Sequence, residues 1–118
     1  MEESIESETK HSKKTFRNIN LEKRRLQEVF FRDCEFERVD FQFCLLREAC
    51  FQDVSMKHAV FDKCDLQNCQ FANADLSHAD MTTARNYFVN SQSNKLHKTK
   101  FSLPEALSLL GNFDIILS

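Results

Sequence analysis

From Phe16 to Met81 every fifth residue is large and apolar, fourteen positions without a miss. Two places before most of them stands a smaller residue: Val29, Cys34, Val39, Cys44, Ala49 and onward to Ala79, with Lys14 and Arg24 as misfits near the start. Polar residues fill the remaining places. A helix would repeat apolar residues at i+3, i+4 and i+7, and a strand would alternate over a short run. Neither gives a period of five. Residues at i−2 and i share one direction, as in a strand, and the others face outward and turn the chain through a corner. Repetition winds the backbone around a core, with neighbouring windings paired about 4.8 Å apart. No winding buries its core alone, so the pattern predicts a solenoid.

The motifs "ANADL", "SHADM" and "DKCDL" sharpen this reading. Across residues 16–86 the chain resembles the pentapeptide-repeat family, whose pattern is A(D/N)LXX. The resemblance implies an all-β solenoid, a right-handed quadrilateral β-helix with four repeats per winding and about three and a half windings over this stretch. Residues twenty apart then stack on one side. The expected columns are Leu26, Leu46 and Leu66; Phe31, Phe51 and Phe71; Leu21, Phe41, Phe61 and Met81; and Phe36, Met56 and Leu76.

The period fails at both ends. Residues 1–15 are polar and mixed in charge, and read as a disordered tail. Asn86 and Ser91 stand where apolar residues are due, so 87–101 reads as a surface loop, with Leu96 and Phe101 restoring the register in a final partial winding. Residues 102–118 read as a short C-terminal capping helix and tail. Ser102 and Glu105 have capping-box spacing, Pro104 suits a first turn, and Gly111 suits a C-terminal cap.

Composition changes the picture only slightly. Phe occurs 12 times, while Gly and Pro occur once each, too few turn glycines for a stack of β-hairpins. The formal net charge is −2 and points to neither an acidic nor a basic partner. No run of apolar residues is long enough to be a signal peptide or to span a bilayer, so a cytoplasmic location with reduced thiols is expected.

Candidate chemistry is sparse. Cys34, Cys44, Cys64 and Cys69 fall at inward small positions, where a thiol packs as a compact hydrophobe. Cys50 should face outward. His58 and His78, with Arg38 twenty before, form an expected outer ladder, and Glu28, Glu48, Asp33 and Asp53 form two acidic ladders. A filled core leaves no pocket for acid–base work, and Gly-rich, triad and metalloprotease motifs are absent. The chain is therefore expected not to be an enzyme and to need no cofactor or metal. Outward apolar residues suggest contact instead. The candidate interaction surface is Phe30, Phe43, Leu45 and Val60, together with Phe113, Ile115 and Leu117 in the tail. The expected role is a protein-interaction scaffold with an unidentified protein partner, without direct nucleic acid binding or membrane association, and with a homodimer through the C-terminal helix and tail. The alternative comes from the family resemblance: some of its members protect topoisomerases by mimicking duplex DNA. Residues 16–86 carry ten Lys or Arg and twelve Asp or Glu, a net of −2. A rod of about 17 Å with so little charge is a poor mimic of a duplex with one charge per about 1.7 Å.

Overall fold

The structure is a computed structural model that describes residues 5–102. It is a four-sided β-helix in which residues twenty apart pair in parallel. The first side carries β1 (Lys10–Ser12), β3 (Phe30–Arg32), β5 (Cys50–Gln52) and β6 (Gln70–Ala72), stacked in that order. The second carries β2 (Thr15–Arg17) and β4 (Glu35–Glu37), followed by single bridges at Ser55, Asp75 and Lys95. Bridges alone build the other two sides: Asn20, Asp40, Val60, Asp80 and Lys100 on the third, and Arg25, Leu45, Asp65 and Arg85 on the fourth.

The corners explain why the repeat is five and why glycine is not needed. Fifteen consecutive corner residues, from Glu8 to His78 at spacing five, have φ between 52° and 63°, and none is glycine. Each such residue costs about 1–2 kcal/mol in the left-handed region. Two kinds of bond offset that strain. Corner N–H groups donate to the next winding, as Glu28 does to the Arg47 carbonyl at 3.0 Å. The Asp or Asn of the motif accepts from the N–H two residues on, as Asp40 does from Gln42 at 2.9 Å and Asp75 from Ser77 at 3.0 Å. This local turn bond is the physical reason for D/N in the repeat.

The expected columns stand. Phe51 is fully buried, with its ring stacked on Phe31 at 5.2 Å and on Phe71 at 5.3 Å. Phe41 stacks on Phe61 at 5.2 Å. At the small positions the Cys44 thiol donates to the Leu21 carbonyl and Cys64 to the Phe41 carbonyl, so each sulfur bonds a neighbouring winding.

Both expected boundaries shift. Residues 5–15 belong to the coil and are not a tail. His11 occupies a period-five slot, stacks on Phe31 at 5.3 Å, and is held by Thr9 through Nε2 at 2.8 Å. A flat aromatic ring fills that slot although the residue counts as polar. Ile5 is buried as well and belongs to the core. The misfit Arg24 reaches the Ile5 carbonyl at 2.9 Å and pairs with Glu6 at 3.4 Å, closing the open end. At the other end Tyr87 and Val89 are buried, so 87–89 is not a surface loop. They alternate inward around the exposed Phe88 and join the core. Asn94 pins the turn to the Phe71 and Asn90 carbonyls, and the register resumes at Lys95 and Lys100. Apart from Ser102, the expected capping helix lies outside the described residues.

Two predictions follow from the packing. Phe51→Ala leaves a cavity between two stacked rings and lowers stability by about 3–5 kcal/mol in a denaturant titration; an unchanged midpoint contradicts the stack. The second concerns acid. Burial alone would raise Asp65, but hydrogen bonds from Asn86, Arg47 (2.8 Å) and Gln67 outweigh it and hold the carboxyl below its ordinary value. Asp75 is held low by Ser77, Lys57 and Lys95 against the same effect of burial, and Asp80 chiefly by Thr82. The unfolded chain then binds more protons, so this stability is present above the ordinary value of 3.8 and is lost as pH falls through the lower folded values. Thermal midpoints should drop below about pH 4, and Asp65→Asn should flatten that drop.

Candidate interaction surface

A filled core leaves the outer residues of the four sides and their corners to act. Among the described residues, no group of three or more His, Cys, Asp or Glu is arranged to hold a metal ion. All five cysteines are free. Burial and the neighbouring Cys50 push the Cys69 thiol up, and burial raises Cys50 itself. Neither of these two thiols is therefore poised as a nucleophile; the hydrogen bond with Cys64 holds the Cys44 thiol below its ordinary value, but Cys44 is buried in the core.

The outward apolar residues fall in two groups. Phe30 pairs with Cys50 on the first side, as the twenty-residue register requires, and is half-buried. Phe88, 47% exposed, lines a shallow groove with Glu48, Asn68 and Gln70 beside that column. The period of five does not select Phe88, because it follows the break in the repeat; its place between two inward residues is the signal that it faces out. The second group surrounds the corner between the third and fourth sides. Phe43 forms the corner and is 38% exposed, Val60 on the third side is 46% exposed, and Leu45 on the fourth is half-buried. Phe30 therefore does not join Phe43, Leu45 and Val60 in one patch. Phe113, Ile115 and Leu117 lie outside the described residues.

Phe43 stands out chemically. Its φ of 60° places a bulky aromatic residue in a region that favours Gly, Asn or Asp. The ammonium of Lys63, one winding on, sits 5.2 Å from the centre of its ring. That cation–π contact contributes about 0.5–1 kcal/mol, less than or similar to the backbone strain. Strain held at an exposed aromatic side chain is a pointer to contact.

The histidines do line up. His58 stacks on His78 at 4.9 Å, and His97, which the spacing did not select, meets His78 edge-on at 5.7 Å. Loss of surrounding water and the charges of His58, His97 and Lys98 hold His78 below its ordinary value, with Asp75 opposing. On the corner between the fourth and first sides, a hydrogen bond and repulsion from Glu48 raise the Glu28 carboxyl.

Phe43→Asn should raise stability by about 0.5–1 kcal/mol, since asparagine tolerates the left-handed corner. A denaturant midpoint that falls by that amount instead shows that the ring stabilises the fold, and it removes the case for Phe43 as a contact residue.

Comparison with known proteins agrees with the geometry. The family model for pentapeptide repeats matches eight copies over residues 16–53 and 49–85. Comparison with curated proteins found no match. Among solved structures, HetL from the cyanobacterium Nostoc sp. strain PCC 7120, a pentapeptide repeat protein involved in heterocyst differentiation regulation, superposes with a TM-score of 0.67 at 19% identity. The match covers 75% of this chain and 44% of HetL, so the chain spans under half of that protein's length. Rfr23 from the cyanobacterium Cyanothece 51142 gives 0.41 at 12% identity over 82% of this chain and 86% of its own. QnrB1, a plasmid-mediated fluoroquinolone resistance protein, gives 0.27 at 13% identity over 92% of each chain. A twenty-residue winding with a left-handed corner every fifth residue and a matching family model lead to one conclusion: the chain belongs to the pentapeptide-repeat family.

Proposed function

We propose that this protein is a non-enzymatic interaction scaffold that binds a protein partner through the corner formed by Phe43, with Val60 and Leu45 beside it. The observation that carries this reading is Phe43 itself, an exposed aromatic side chain held at φ 60° where a smaller polar residue would relieve strain. The scaffold supplies rigidity: each outer residue is fixed by the winding above and below it, so a partner meets a surface already ordered, which lowers the entropy lost on binding. Membership of a family built of filled coils supports the absence of catalysis. Among the described residues no helix is long and apolar enough to cross a membrane.

Mimicry of duplex DNA is the weaker reading. It needs negative charge all round the rod. Here one corner carries Arg38, His58, His78 and Lys98 in succession, which would repel a surface built to hold DNA phosphates.

Affinity capture from native lysate tests the scaffold reading, using wild type, Phe43→Asp and Val60→Asp at matched folded content by circular dichroism. A protein retained by wild type and lost with both variants is the expected result. Equal capture by all three contradicts the assignment of this corner.

A further inference from the structure

The corner between the second and third sides is the most cationic line among the described residues. Arg38, His58, His78 and Lys98 succeed one another at intervals of twenty, each at the left-handed corner position, and His97 joins them edge-on at His78. Around them face Arg17 bonded to Glu37 at 2.9 Å, Lys57 near Asp75 at 3.7 Å, Asp40 and Asp80, which cap their own turns, and Lys95 and Lys100 from the last winding. Arg38 has no ion-pair partner among the described residues. Beside this line the third side is a shallow groove floored by Val39, Phe41, Ala59 and Val60. It is an open sheet face with a cationic rim.

The diagonally opposite corner, between the fourth and first sides, presents Glu8, Glu28 and Glu48 at the same spacing, with Arg47 turned away to Asp65 and Lys10 on the adjoining first side. Both lines are generated by the same coil, so their rungs share one spacing. Each line also repels itself: Glu48 crowds Glu28, and His58, His97 and Lys98 crowd His78. Bringing opposite lines together relieves both. A single exposed ion pair contributes little, so several pairs in one register are what make a contact measurable.

We infer that the cationic histidine corner and its groove take a second copy of this chain, laid alongside and presenting its Glu8, Glu28 and Glu48 line. The inference differs from the Phe43 reading in using the other corner of the third side and no foreign partner, and the two surfaces share only Val60. The contact is heterologous: after pairing, each molecule still offers one unmatched line, so association continues sideways into rows. It is strongest between the ordinary carboxylate value of 4.5, above which Glu28 is held, and the ordinary histidine value of 6.5, below which His78 is held. It weakens at higher pH as His78 loses charge, and at lower pH as Glu28 does.

Sedimentation velocity of the full chain at submillimolar concentration tests this, at about pH 5.8 and pH 8 and at low salt against about 0.5 M salt. Wild type should show larger species at the lower pH and low salt that dissolve in high salt. The variant E28K/E48K has two cationic lines and R38E/H58E has two acidic ones, so each alone should associate at least about tenfold more weakly than wild type. An equimolar mixture of the two should restore association, which also shows that both variants fold. Wild type that stays monomeric at the lower pH and low salt overturns the inference. Variants that associate as strongly as wild type, or a mixture that does not recover, overturn it as well. A loss of partner capture by Phe43→Asp with this self-association unchanged would leave the two surfaces distinct.

Discussion

The left-handed corner is the constraint on which the rest of this molecule depends. A chain that turns every fifth residue must put an L-amino acid at positive φ each time, and fifteen in succession do so here without a glycine. Such a backbone is untenable in isolation. It holds because most corner N–H groups find a carbonyl in the next winding, Lys63 finds the Thr83 hydroxyl there, and Asp or Asn side chains bond the turn locally. The inward residues are then brought into stacks. Rings such as Phe31, Phe51 and Phe71 lie one rise apart, and their burial supplies the hydrophobic gain that offsets the corners' strain. Register and core are thus one property: shifting the pairing by a residue would turn the phenylalanines outward.

The same dependence explains what could be read in the sequence. The period of five fixes which residues point inward, so the columns, the outward pairing of Phe30 with Cys50, and the His58–His78 ladder all follow from counting. Counting fails where a slot is filled by chemistry rather than by residue class. His11 fills a phenylalanine slot with an aromatic ring that is nominally polar. Tyr87 and Val89 fill the core from positions the period does not name, because two ladder bridges, at Arg85 and Lys95, fix the ends of an irregular segment and leave its interior to packing. His97 is likewise out of step with the corner series and reaches His78 from the side.

The candidate surface was legible in part. Position along the repeat gives the direction of a side chain, so Phe43 and Val60 were recognisable as outward. Exposure depends on neighbours one winding away, which is why Phe30 and Leu45 are only half-exposed and belong to different sides. Strain at Phe43 is a property of the backbone that no residue pattern displays by itself. The interior of the coil is filled, and its outward functional groups are spread along lines instead of converging on a point.

The twenty-residue register is the central claim, and through-space nuclear magnetic resonance contacts between aromatic rings test it most directly. With specifically labelled phenylalanines, cross-peaks should connect Phe31 with Phe51, Phe51 with Phe71, and Phe41 with Phe61, whose ring centres lie 5.2, 5.3 and 5.2 Å apart. A folded, cooperatively melting chain that lacks these three contacts would contradict the four-sided coil.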